Sequence, residues 1–346
     1  MSDVTIFAPS PILTVTVEDH PAGSEIHIHA GGQGVWQARM LLRLGVSVTM
    51  CCVLSGETGT VLRHLLEEEG ITVTETRRDA RGAAYVHDRR DGQRAVIAEE
   101  HGEPLGRHDL DEVYGAVLRE GLGSRLVLLS GPGDEETLPA DTYRRLAADL
   151  RAAGTTVMVD LAGERLAASL DGGIDVLKVS DEELRADGLI TEGSASEVMR
   201  AMRELRTRGV GTVIVTREAE PALLLDDDGF LEATMKRLEV ADTRGAGDSL
   251  TAGVAAGIVR GESARDALTL GAAAGAMNVT RHGLGTGDPQ TVRALREMVT
   301  VRAVTDSPDP QPEQPSTEHV TPGTLASMVD TSADQAPDAD RAEGTA

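Results

Sequence analysis

Val240-Ala241-Asp242-Thr243-Arg244-Gly245-Ala246-Gly247-Asp248-Ser249-Leu250 is the stretch on which the reading of this chain turns. An apolar run at 238–240 precedes it, and Leu250, Val254, Ile258 and Val259 follow at spacings that share one side of a helix. Gly245-Ala246-Gly247 therefore sits where a helix begins, and free backbone N–H groups meet the positive end of the helix dipole there. Two glycines let an anion approach the backbone closely. A carboxylate at Asp248, beside a bound phosphate, can take the proton of an attacking hydroxyl. The amides can stabilise charge developing on the transferred group. The same pattern also suits an ordinary turn with a helix cap. It is not a Walker A loop, because no Gly-Lys-Ser/Thr follows.

Outward from this stretch, residues 1 to about 300 alternate short apolar runs with amphipathic segments. The runs at 48–53, 126–130, 156–160, 176–179 and 212–216 read as buried strands, and 138–153 and 196–208 read as helices. Alternation of this kind predicts an α/β fold with a mainly parallel sheet covered on both faces. Two stretches depart from it. Residues 12–30 have strand character, and 71–100 alternate on either side of Arg90-Asp91-Gly92-Gln93, a hairpin-turn sequence. Together they predict a small separate sheet over one end of the main one. His27 and His29 share a face of one of its strands, and without a third ligand they read as surface residues of that sheet. From about residue 301 the chain is rich in Pro, Asp, Glu, Ser and Thr, and 301–346 reads as a disordered acidic tail.

Composition narrows the partners. The chain has 346 residues with 40% hydrophobic content, enough for a large core, and a formal net charge of -24. Such a surface repels phosphate backbones and anionic lipid heads, so neither nucleic acid nor a membrane is expected. No apolar run is long enough to span a bilayer and no basic n-region opens the chain. Cys51 and Cys52 are adjacent in an apolar run, point to opposite faces of a strand and cannot pair, which fits a cytoplasmic setting.

Asp242-Thr243-Arg244-Gly245-Ala246-Gly247-Asp248 resembles the C-terminal signature of the PfkB (ribokinase-like) carbohydrate kinases. Gly31-Gly32-Gln33-Gly34-Val35-Trp36-Gln37-Ala38 resembles their N-terminal signature. Lys178-Val179-Ser180-Asp181-Glu182-Glu183-Leu184 and the segment 273–282 match as well. The resemblance covers about residues 4–299 and is nearest the branch of 1-phosphofructokinase and tagatose-6-phosphate kinase. It implies a three-layer α/β/α domain over 1–300 with a small β-sheet lid. It also implies an ATP-dependent phosphotransferase acting on a hydroxyl of a sugar or sugar-like molecule. Asp248 would be the base, and Gly245, Ala246 and Gly247 the anion hole. Gly31, Gly32 and Gly34 would approach the acceptor, with Thr14, Gln33 and Trp36 beside it. Thr216, Arg244, Ser180 and Asn278 would contact the nucleotide, and Glu183 would hold Mg2+ through water. The lid often pairs two subunits, so a homodimer is implied.

Several positions depart from the family pattern. Thr14 stands where an acid usually holds sugar hydroxyls, Gln33 where a lysine is usual and Trp36 where an asparagine is usual. A neutral amide cannot pair with a substrate phosphate as an ammonium can. The lid strand at 82–86 lacks the arginine of the sugar-phosphate branch, and Arg89, Arg90 and Arg94 near the turn read as solvent-facing. Ser130-Gly131-Pro132-Gly133-Asp134 replaces the usual Gly-Ser-Leu-Pro-Pro-Gly. On the nucleotide side Ser180 replaces an asparagine, and Glu218 and Glu220 bring negative charge into a turn that usually carries glycines. Arg244 faces either the phosphates or solvent. A working kinase is the leading reading. A binding protein without turnover, and a nucleoside kinase with Trp36 stacked on a base, are the alternatives.

Overall fold

The computed structural model describes residues 2–21, 23–218, 220–235, 244–280 and 287–305. Its strands are β1 Val4–Phe7, β2 Ile12–His20, β3 Gly23–Gly31, β4 Val48–Ser55, β5 Thr72–Arg78, β6 Ala84–Asp88 and β7 Ala95–Glu100. They continue with β8 Leu126–Ser130, β9 Thr156–Asp160, β10 Val176–Ser180, β11 Thr212–Arg217, β12 Glu220–Asp226, β13 Gly229–Met235 and β14 Val299–Val304. The helices are α1 Gln33–Arg43, α2 Gly56–Glu68, α3 Arg107–Gly121, α4 Asp141–Ala152, α5 Gly163–Gly172, α6 Asp181–Ala186 and α7 Ala195–Thr207. The last three are α8 Ala246–Val259, α9 Ala264–Val279 and α10 Pro289–Met298.

Ten strands form one sheet in the order β14-β13-β12-β11-β10-β9-β8-β1-β4-β5. From β11 to β5 every pairing is parallel, and β12, β13 and β14 continue the sheet antiparallel. The parallel strands are aliphatic on both faces because helices cover both. On one face Ile6, Leu128, Met158, Val176 and Ile214 pack under α1, α2, α8, α9 and α10. On the other, Phe7, Leu129, Val159, Leu177 and Val215 pack under α3 to α7. Helices α8 and α9 pack backbone to backbone. A Cβ on Gly253 would lie 2.6 Å from the Gly271 Cα, so the glycine is what lets the two backbones touch and fixes the line of α8. None of the helices of the described residues is long and apolar enough to cross a membrane.

The second sheet has four strands in the order β3-β2-β6-β7. Its inner face carries Thr14, Thr16, His29, Tyr85 and His87, in register across β3, β2 and β6. Its outer face carries Val15, Val17, Ile26, Ile28 and Val86, with Ile26 and Ile28 exposed by 67% and 53%.

Two boundaries differ from the sequence reading. β5 pairs with β4 at the edge of the main sheet, so the second sheet takes nothing before Ala84 from the 71–100 stretch. The alternating Thr72–Arg78 pattern describes a half-covered strand and is blind to which sheet it joins. At the other end, 301–304 belong to β14, which pairs with β13 at six positions, from Met235↔Val299 to Phe230↔Val304. The remainder of the tail, 306–346, lies outside the described residues. A chain ended at Met298 should melt several degrees below one ended at Thr305, because it loses this edge ladder and the packing of Val299 and Val301 on the core. Thermal unfolding by circular dichroism checks this.

Candidate active site

Helix α8 begins at Gly245, which adopts the left-handed conformation (φ 70°) that favours glycine. The N–H groups of the first turn have no intrahelical acceptor, and among the described residues no side chain caps them. The loop is tied from behind by Asn278 of α9, buried, whose amide donates to the Arg244 carbonyl. Lys178 of β10 reaches up from the sheet. Its Nζ would lie 3.0 Å from a Cβ at Gly247, so an ammonium sits directly beneath the amide turn. Asp248 follows in the first turn of the helix. Glycine, amide turn, ammonium and carboxylate thus meet at one point, at the C-terminal ends of the central strands.

Behind Asp248 lies a buried ion pair. Lys178 Nζ donates to Asp160 Oδ1 at 3.2 Å, and Asp160 Oδ2 accepts from Thr251 Oγ1 at 2.7 Å. Burial alone would lower the Lys178 pKa, but the Asp160, Glu183 and Asp248 carboxylates together raise it, so it stays charged. Burial pushes Asp160 up despite Lys178. Asp248 is pushed up to about 7, first by burial and then by the Asp160 carboxylate, against the opposing pull of Lys178 and a bond from Gln33. A base poised near neutral pH is what proton transfer from a hydroxyl needs. Neither Asp160 nor Lys178 was singled out from sequence as a site residue. The signal was there: a lysine inside Val176–Ser180 and an acid ending Thr156–Asp160 must find partners if those strands are buried.

The acceptor-side residues gather at the start of α1. Gly32 (φ 106°) turns the chain into the helix, and its carbonyl accepts from Val35 and Trp36. A Cβ on Gly31 would lie 2.6 Å from Thr14 Oγ1, and one on Gly34 would lie 2.5 Å from the Ala8 Cβ. Gly31 therefore admits the lid strand, and Gly34 seats α1 on the chain just after β1. Gln33 accepts from the Gly131 N–H at 3.0 Å and also bonds Asp248, linking the 130–134 loop to that carboxylate. Arg165 of α5 braces that loop through the Asp134 carbonyl at 2.6 Å. A shallow concavity opens here, lined by Ser10, Pro11, Gly32, Gln33, Gly131 and Gly133 among others, and none of the described residues lining it is charged. Trp36 is half-buried outside that lining, and its indole N–H has no partner among the described residues. The lid stands over the site. Arg94 is not solvent-facing as the sequence suggested. It folds onto the Tyr85 ring at 4.7 Å and lies 3.4 Å from His87 Nδ1, because the strand after the turn directs it inward. Burial, then Arg94, lowers the His87 pKa to about 4, and burial lowers that of His29 likewise, so both rings are neutral at pH 7. Arg244 adds a small share to the positive field on His87.

On the nucleotide side, Ser180 and Thr216 are register partners at the ends of β10 and β11. Ser180 and Glu183 form a capping box at the start of α6: the Glu183 N–H donates to Ser180 Oγ, and Glu183 Oε2 accepts from the Ser180 N–H at 2.7 Å. This explains the serine, and it commits one Glu183 oxygen to the cap. Glu218 is the only non-glycine among the described residues with positive φ, 41°. It also shares a hydrogen bond with Glu182, which raises the Glu182 pKa. Asp242 and Thr243 lie outside the described residues.

This architecture is the ribokinase-like fold, shared with Escherichia coli phosphofructokinase-2 in its potassium complex (TM-score 0.76, 22% identity, covering 86% of this chain and 99% of that one). Arabidopsis thaliana ribokinase complexed with ribose and ATP has it too (TM-score 0.67, 22% identity, covering 86% and 99%). Residues 3–291 match the model of the pfkB family carbohydrate kinases, and the chain belongs to that family. Relatives named 1-phosphofructokinase include those of Haloferax volcanii, 31% identical over 77% of this chain and 83% of that protein, and Vibrio cholerae, 25% identical over 86% and 95%. The chain is a carbohydrate kinase.

Two outcomes test the site's electrostatics and strain. Glu218→Gly should raise stability by about 1 kcal/mol by relieving left-handed strain, and should lower the KM for ATP by removing one acid. Asp248 binds its proton more tightly in the folded chain than in the unfolded one, so its ionisation costs stability as pH rises from about 4 to about 7. Asp248→Asn should therefore melt above the parent at pH 8 and close to it at pH 4.

Proposed function

We propose that the enzyme transfers the γ-phosphoryl group of ATP to a hydroxyl of a sugar held between the Gly31–Gly34 turn and the 130–134 loop, with Asp248 as the base. The observation that carries this is the convergence of an uncapped helix N-terminus, the Lys178 ammonium beneath it and a carboxylate with its pKa near 7. The hydroxyl loses its proton to Asp248 as its oxygen attacks phosphorus. The Gly245–Gly247 amides and Lys178 receive the charge on the transferred group. Lys178, being buried and paired, is a fixed charge that needs no reorganisation during transfer. ATP would lie toward Thr216, Ser180 and Asn278, with Arg244 near its phosphates.

The donor set fits magnesium modestly. No group of three ligating side chains forms among the described residues, and Glu183, with one oxygen spent on its cap, has the other for a metal-bound water. Magnesium would neutralise phosphate charge there. Closure of the lid would exclude water.

The relatives' names point to a sugar phosphate as acceptor. The neutral lining of the concavity, with Gln33 at the usual lysine position, favours a free sugar at that end. The exposed apolar outer face of the lid, centred on Ile26 and Ile28, supports pairing of two copies through it.

Incubation with Mg-ATP and a panel of free sugars, sugar phosphates, polyols and nucleosides, read by product mass, tests the proposal. A phosphorylated sugar should form, kcat/KM should rise with pH through about 7, and Asp248→Asn should lose about 10²–10⁴-fold in turnover while still binding nucleotide. Undiminished turnover in Asp248→Asn would remove the carboxylate from this role.

A further inference from the structure

The face of the sheet beneath α1 and α8 is aliphatic except at one spot. Ser130, Asp160 and Lys178 occupy directly paired positions on β8, β9 and β10, each two residues beyond a core residue of that face, Leu128, Met158 and Val176. Gln37 of α1, fully buried, closes over them. Its Nε2 donates to Asp160 Oδ2 at 3.0 Å and lies 3.5 Å from Asp248 Oδ1, and its Oε1 accepts from Ser130 Oγ at 2.5 Å. Chemistry fixes the orientation of the amide: two protons face two carboxylates, and the flipped amide would set a carbonyl against both. The Ser130 carbonyl in turn accepts from the buried Tyr143 hydroxyl at 3.0 Å, so the serine is itself held.

We propose that Gln37 is a positioning residue for the reaction: it gives one amide proton to Asp160 and one to Asp248, keeping the buried Asp160 carboxylate and the half-buried Asp248 carboxylate apart and the base aimed at the acceptor. This rests on the reading of Asp248 as the base. Two carboxylates sharing a dry site repel, and the ordinary escape is for one to keep a proton and bond the other. Such a shared proton would occupy the base. A neutral double donor between them prevents it without adding charge. The other charged groups acting on Asp248 are Lys178 and Glu183, and Gln33, one helical turn before Gln37, bonds it from the acceptor side.

The test compares Gln37→Met, which keeps the volume and removes the donor, with Asp160→Asn, which removes the neighbouring charge. Gln37→Met should lower kcat about 10–100-fold with KM for both substrates little changed. It should move the acid limb of kcat/KM to higher pH, whereas Asp160→Asn moves that limb to lower pH. Loss of packing alone would not give opposite shifts. If Gln37→Met does not fold, Ser130→Ala, which releases the amide oxygen, should give a smaller shift in the same direction. The proton affinity of Asp248, read from the 13Cγ signal lost in Asp248→Asn, gives the same comparison without turnover. A parent that phosphorylates nothing would overturn the base reading. An unmoved Asp248 titration in Gln37→Met, or shifts of the same sign in both variants, would overturn this inference.

Discussion

The Lys178–Asp160 pair is the constraint around which the active end of the molecule is arranged. A charge pair this deep is not an economical source of stability, since desolvation takes back most of the attraction. Breaking it by removing one partner leaves a bare buried charge at a cost of about 3–5 kcal/mol. What the pair does is local. It sets one positive charge under the Gly247 turn and uses the adjoining carboxylate to raise the proton affinity of Asp248. The parallel register makes this possible, because neighbouring strands β9 and β10 bring the two side chains level on the same face.

Much of this was legible in the sequence, and the reasons for the rest are physical. The five central strands are short aliphatic runs between turns, and a buried parallel strand can be little else. The Gly245–Asp248 turn was readable because its glycines and acid are adjacent in the chain. The polar cluster of Gln37, Ser130, Asp160 and Lys178 was not, since its members lie on four separate elements and only the sheet register joins them. β14 was lost for a different reason. Its alternating Val-Thr-Val-Arg-Ala-Val pattern adjoins a Pro- and Asp-rich segment whose composition dominated the window. Ser180 shows a third kind of miss. Measured against an expected asparagine it was a departure, yet Ser-x-x-Glu ahead of a helix is a capping signature in its own right.

The residues expected at the acceptor and those expected at the nucleotide depart from the family pattern in different ways. Gln33, expected at the acceptor, is a neutral amide that joins the 130–134 loop to Asp248, and Thr14 is buried against Gly31. In the turn after β11 an acid stands in the left-handed conformation, which brings strain and repulsion together at Glu218.

The lid is built from two hairpins that leave the body at different points of the chain, one between β1 and α1 and one between β5 and α3, and that join only through the parallel β2–β6 ladder. It is consequently moored at four places. A flap on a single loop samples many orientations and surrenders that freedom each time it shuts. A flap moored four times has fewer orientations open to it, so shutting it over a ligand would forfeit less conformational entropy. The same moorings tie the lid to Gly31 and the turn into α1, so a tilt of the lid would be felt at the helix bearing Gln33 and Gln37.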